Sequence, residues 1–285
     1  MNNNIYDIWF TRIEISNGIK LKLIEKYSSH ELWKLKEADF KKENLEDKTI
    51  KKILDIKYRK HLNKYYEYME KNDVKLINFK DNEYPINLTY IKDKPCYIHV
   101  RGNINILYNT CIAIIGSRNA SEYGKNISRK IAKELADKNV NIISGLAIGI
   151  DKYAHLGCLD SNVGKTIAVV GTGLTDNDVY PSENKKVFER ILSNDGCIVS
   201  EYVIGTEPKK HHFPMRNRII SGLADKIVIV EAGKKSGSLI TVEYALEQGK
   251  DIFAVPGSIL AQNSVGTNAL IKDGAYLLDN IEELL

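Results

Sequence analysis

The sequence predicts an α/β protein: a doubly wound, mostly parallel sheet preceded by a small helical segment. Three observations carry this. After about residue 105, apolar runs of strand length alternate with amphipathic stretches of helical length. The runs are apolar on both faces, as in strands covered by helices on either side. Seventeen of the 19 glycines fall in this part, several directly after an apolar run, and only Gly18 and Gly102 precede it.

The first elements are helical. Leu21, Leu23, Ile24 and Tyr27 make one stripe at helical spacing. Ile53, Ile56, Leu62, Tyr65, Tyr66 and Met69 make another. The tyrosines read as core packing. Residues 74–100 read as extended, with Val74–Ile77 and Tyr97–Val100 as strands. Strand and helix then alternate. Strands are expected at Cys111–Ile115, Val140–Ile143, Thr166–Val170, Gly196–Val199, Lys226–Val230 and Ile252–Val255. Helices are expected at 122–137, 150–160, 184–193, 215–223 and 238–248. The domain division is set at 1–75 and 76–285, with the core of the second part beginning near 106.

Composition excludes several classes. At 285 residues, 43% hydrophobic and 27% charged, the chain is neither disordered nor fibrous. No apolar run is long enough for a membrane span. Met1–Phe10 has neither a basic start nor an apolar core, so no secretory leader is expected. Cys96, Cys111, Cys158 and Cys197 are scattered and form no CxxC pair. This fits a reducing, cytoplasmic setting, and neither metal nor cofactor is expected. The net charge of +4 divides unevenly. Residues 1–105 hold 21 Lys/Arg and 16 Asp/Glu, while 106–285 hold 20 and 21. Any polyanion site must therefore be a local patch.

Two familiar motifs are decoys. Gly164-Lys165-Thr166 resembles the end of a phosphate loop, but Leu159 stands where the first glycine is needed, and the segment precedes a strand. Gly171-Thr172-Gly173 begins a dinucleotide fingerprint, but Asp176 occupies the third glycine position.

The strand exits are more informative. Gly116-Ser117-Arg118 joins a strand to a helix. Free amides at a helix start attract phosphate, and a guanidinium grips two of its oxygens. The same triplet also makes an ordinary tight turn. In Ser144–Asp151, Asp151 reads as a cap of the following helix, and His155 as a structural histidine. The densest signal runs from 208 to 224: four Lys/Arg, two His and no acid. Phe213 at its centre either stacks on a base or anchors the loop beside Pro214. Arg216 and Arg218 cannot both face one way on a helix, so one of them is expected outside the site. Ser236–Thr241 is a further anion-friendly helix start, with N-capping by Ser238 as the ordinary alternative. Glu231 and Glu243 form no convincing nucleophile arrangement, and no GxSxG elbow is present.

From about residue 80 to the C-terminus, these motifs, in this order, resemble the DprA/Smf family of bacterial DNA-processing proteins. The match runs through Gly116-Ser117-Arg118, Ser144–Asp151, Tyr180-Pro181, Ser200-Glu201, Phe213–Ile220, Ser236–Thr241, Ala254–Gly257 and Gly266-Thr267-Asn268. The resemblance implies an extended Rossmann-like domain that binds single-stranded DNA and dimerises. It implies protection of incoming strands and loading of the RecA recombinase in natural transformation, without catalysis. By the same resemblance Arg118, Lys210 and Phe213 are DNA contacts. Ser117, Ser144, Gly145, Arg216 and Asn217 belong to the same motifs, and Lys185 is placed at the rim. The dimer face would include Leu270 and Ile271. The N-terminal helices are similar to a sterile-alpha-motif-like domain. The alternative is an enzyme, a Rossmann-like nucleotide phosphoribohydrolase of the lysine-decarboxylase-like type. Ser236–Glu243 resembles its helix start, but its Pro-Gly-Gly-x-Gly-Thr run is missing.

Overall fold

The computed structural model describes residues 5–57 and 62–285. The first residues of the leader reading, and the middle of the stripe from Ile53 to Met69, lie outside the described residues. Among the described residues nine strands form one sheet. They are β1 (Val74–Asn78), β2 (Tyr97–Gly102), β3 (Cys111–Ile115), β4 (Asn141–Ser144), β5 (Thr166–Val169), β6 (Cys197–Ser200), β7 (Lys226–Ile229), β8 (Asp251–Ala254) and β9 (Tyr276–Leu277). Their order is β1-β2-β6-β5-β4-β3-β7-β8-β9. The block from β6 to β9 is parallel, while β1 and β2 add antiparallel at one edge.

Side-chain alternation explains the double winding. On β3, Ile112 and Ile114 pack with Ile131 and Leu135 of the helix Glu122–Asp137. Cys111, Ala113 and Ile115 face the opposite layer, with Ile219 of the helix His212–Leu223 and Val242 of the helix Ser238–Glu247. Each β3 residue therefore buries its side chain under a helix, which is why the run is apolar throughout.

The chain path places a crevice. From β3 it winds one way through β4, β5 and β6, then returns to lay β7 and β8 on the other side of β3. The carboxyl ends of β3 and β7 are the point where strand order reverses, the usual ligand position in open α/β sheets.

The N-terminal helices cover the β1–β2 end. Trp9, Phe10, Leu23, Ile24, Leu32, Phe40 and Ile53 form their core, which continues onto Cys96 and Tyr97. Both predicted stripes face inward: Leu23, Ile24, Ile53, Tyr65 and Met69 are buried. Tyr65 reaches the sheet, its hydroxyl meeting His99 Nε2 at 3.1 Å and accepting from the Ile204 amide at 2.9 Å. The helix expected at 215–223 begins earlier, at His212, because Pro214 is tolerated in a first helical turn. The helix Val265–Lys272 and the short β9 were not anticipated. All four cysteines are free and buried. Among the described residues no helix is long and apolar enough to cross a membrane.

Among the described residues two histidines, His99 and His155, are fully buried. Burial lowers the pKa of His99 to about 4 and that of His155 to about 3, so both rings are neutral in the fold near neutral pH. An unfolded histidine titrates near ~6.5. Below that value the unfolded chain binds more protons, so stability falls as pH drops from ~6.5 towards 4. The loss reaches about 1.4 kcal/mol per pH unit for each ring. Urea unfolding at pH ~7 and pH ~5 checks this, and an unchanged midpoint contradicts it.

Candidate functional site

A cleft of about 760 Å³ opens at the switch point. Its floor is Ile115 and Gly116 at the end of β3, and Gly233 after β7. The β3 exit turns immediately. The Ser117 amide donates to the Glu231 carbonyl at 2.7 Å, and the Ser117 hydroxyl accepts from the Asn119 amide at 3.1 Å. The loop after β4 lies against this turn. Gly149 has φ +79°, and a Cβ there would fall 2.3 Å from the Ser117 carbonyl oxygen, so only glycine fits. The Ile150 amide then donates to that carbonyl at 3.2 Å, locking the two strand exits together.

Arg216 ties the exits from beneath. Its Nη1 donates to the Gly145 carbonyl at 2.6 Å and to the Val169 carbonyl at the end of β5. It is 4% exposed, and burial pulls its pKa down to about 10, an effect that Asp151 opposes. Asp151 is a buried carboxylic acid in the same region. Burial raises its pKa, an effect that Arg216 and the Ala147 and Gly145 amides oppose. Its carboxylate accepts from the Gly145 amide at 3.2 Å. Asp151 does not cap its helix as expected: Gly149 holds the cap position, and the carboxylate is spent on the preceding turn. His155 turns away from Asp151 and bonds Thr166 Oγ1 at 2.7 Å.

The open part of the cleft carries the free charge. Arg118, Lys210 and Lys235 are exposed lining residues, and none has an ion-pair partner among the described residues. The Arg118 guanidinium carbon lies 5.5 Å from the centroid of the half-buried Phe213 ring. Tyr180, 48% exposed, lies 5.5 Å from the same ring. Ser236, Gly237 and Ser238 bring the start of the helix Ser238–Glu247 to the opposite wall. Ser238 is not the cap but the first helical residue, and its hydroxyl pairs with that of Ser236 at 2.8 Å. Cations, an aromatic face and helix-start amides thus meet in one concavity, suited to an anion with an attached flat ring.

The predicted residues divide clearly. Ser117, Arg118, Lys210, Phe213, Arg216 and Asn217 line the cleft. Ser144 and Gly145 are not lining residues. Ser144 is buried, its hydroxyl donating to the Ile114 carbonyl at 2.7 Å, and Gly145 sits against the Arg216 guanidinium. Lys185 is exposed at the start of the helix Lys185–Ser193, outside the lining. Arg218 is the arginine that leaves the site: Nη2 donates to both Glu201 oxygens, at 2.8 and 2.9 Å. Leu270 and Ile271 lie on the helix Val265–Lys272, outside the lining and partly packed on the core. Glu231 is occupied in holding Ser121, accepting from its amide at 2.9 Å and from its hydroxyl. Sequence reasoning missed Lys235 and gave Tyr180 no role. The signal for Lys235 was present: Ala232–Val242 contains two lysines and no acid.

Replacing Arg216 by alanine removes the buried donor that bonds the Gly145 and Val169 carbonyls. Losing such hydrogen bonds to a charged group costs about 1.5–3 kcal/mol. Chemical denaturation should show a loss of that order for Arg216→Ala, and a variant as stable as the parent contradicts the role given to Arg216.

A family model described as DNA recombination-mediator protein A matches residues 75–285. The DNA processing protein DprA of Streptococcus pneumoniae is 45% identical over 72% of this chain and 71% of its own length. The protein Smf of Escherichia coli is 40% identical over 80% of this chain and 60% of its own length. Among solved structures, the S. pneumoniae DprA matches with TM-score 0.78 and 34% identity, covering 100% of this chain and 98% of the other. DNA processing protein A of Helicobacter pylori, whose structure is described as revealing a single-stranded DNA binding mode, matches with TM-score 0.66 and 31% identity over 74% of this chain and 93% of the other. This chain belongs to the DNA recombination-mediator protein A (DprA/Smf) family.

Proposed function

We propose that the chain binds single-stranded DNA in the strand-end cleft and acts, without catalysis, in DNA processing and recombination. The observation that carries this is the meeting of Arg118, Lys210 and Lys235 with Phe213 in one cleft. Phosphates engage the cations and the helix-start amides, and an unpaired base meets the Phe213 ring. Backbone charge and ring faces are common to all bases, so binding ignores sequence. Ser117 and Asn217 add polar contacts to the strand. Arg216, Ser144 and Gly145 hold the floor, and Lys185 meets the strand at the rim. The family and the DNA-binding description of the H. pylori protein support this reading.

The finer role follows the family: residues 76–285 form the DNA-binding unit and 1–75 a helical unit. The protein protects exposed strands in the cytoplasm and helps load RecA onto them. It works as a homodimer through the C-terminal part of the sheet domain, around Leu270 and Ile271. Exposed apolar residues there support this: Ile259 is 90% and Leu260 is 88% exposed, and both residues of the edge strand β9 are exposed. Light scattering should give the mass of two chains, and Leu260→Glu should shift it towards one.

Fluorescence anisotropy with labelled oligonucleotides tests the site. Arg118→Ala and Lys210→Ala should each weaken single-strand binding at unchanged folding, and Phe213→Ala should cost about 1–3 kcal/mol. Affinity should fall as salt rises, because counterions are released. Duplex DNA should bind more weakly, since its bases are already stacked. Parental affinity in both cation variants contradicts the assignment.

A further inference from the structure

A second cleft, of about 730 Å³, lies on the other side of the same wall. The wall is the segment Lys209–Arg218. Lys210, Phe213 and Arg216 line the first cleft. Lys209, His211 and Arg218 line the second. Consecutive lysines are thus committed to opposite sides of one loop. The far side of the second cleft comes from the N-terminal helical segment, Thr11 to Lys20.

Its lining again brings cations and an aromatic ring together. Lys209 is exposed and has no ion-pair partner among the described residues. Arg12 contributes a guanidinium 5.2 Å from the Tyr65 ring centroid, and its buried Nη1 has no hydrogen-bond partner among the described residues. A buried donor left unpaired is costly and rare. Lys20 donates to the Thr11 carbonyl at 2.6 Å, and burial lowers its pKa to about 8. An arriving anion would stabilise both charged groups. Tyr202, half-buried, offers a ring stacked on His212 at 4.0 Å and 23°. Three acids also line the cleft. Glu201 is neutralised by Arg218 at 2.8 Å, while Glu14 and Glu207 are exposed at the surface.

We infer that the second cleft is a further subsite for unpaired DNA, taking the part of a strand that passes from the first cleft over the Lys209–Lys210 loop. This rests on the DNA-binding reading of the first cleft. It gives the helical segment a direct place in the nucleic-acid path, with Arg12 and Lys20 as its phosphate ligands and Tyr202 as a base platform.

The test compares a short (~5-nucleotide) and a long (~20-nucleotide) oligothymidylate, lengths that bracket the occupancy of one single-strand site and of an extended path. Wild type, Lys209→Glu and Arg118→Ala are measured by anisotropy across a salt series. Lys209 is exposed, so its variant is expected to fold. Lys209→Glu should weaken the long strand by ~5-fold or more and leave the short one within ~2-fold. Its salt slope for the long strand should fall by ~0.7, one phosphate contact on a single strand. Arg118→Ala should weaken both lengths. If Lys209→Glu weakens both lengths equally, or neither, while Arg118→Ala still weakens both, the second subsite is overturned and the first stands. If wild type binds neither length, both readings fail.

Discussion

A buried guanidinium holds the carboxyl end of the sheet in shape. Arg216 satisfies carbonyls from the ends of two neighbouring strands. Strand ends leave main-chain groups without partners, and here a side chain supplies them from a helix that crosses beneath. The cost of burying its charge is offset by hydrogen bonds to these carbonyls, which are stronger for a charged donor. The carboxyl ends of β4 and β5 are therefore fixed relative to the helix His212–Leu223. That helix also carries Phe213.

Fixing the floor frees the rim. With Arg216 and Arg218 spent on structure, the exposed cations of the cleft are Arg118, Lys210 and Lys235. They come from three separate segments, brought together because strand order reverses between β3 and β7. In the proposed reading these dispersed cations take the phosphates of a flexible polyanion with unpaired bases. The cleft offers dispersed charge and an open ring face, with no closed glycine cradle around a single phosphate. Glu231 is buried and serves the start of the next helix, accepting from the Ser121 amide and hydroxyl.

Much of this was legible in the sequence. The parallel strands are apolar on both faces, so their positions could be read within a residue or two, and the helix Glu122–Asp137 falls where its periodicity places it. The basic stretch around Lys210 and Phe213 was readable as a site because acids are absent from it. The strand order was not readable, since β2 and β6 pair across nearly one hundred residues. Nor was the inward turn of Arg216. Spacing alone said that it and Arg218 part company. Which one stays in the cleft depends on carbonyls contributed by β4 and β5. Asp151 shows the same limit: an acid in a first helical turn reads as a cap until a buried arginine is found opposite it.

The central claim is that an unpaired strand lies in the cleft with a base against Phe213. The most direct measurement is photocrosslinking of the protein to an oligonucleotide carrying a halogenated thymidine analogue, followed by mass spectrometry of the adduct. The account predicts adducts at Phe213 or its neighbour Tyr180. Adducts confined to the opposite, amino end of the strands, at the exposed Tyr90 or Tyr108, would contradict it.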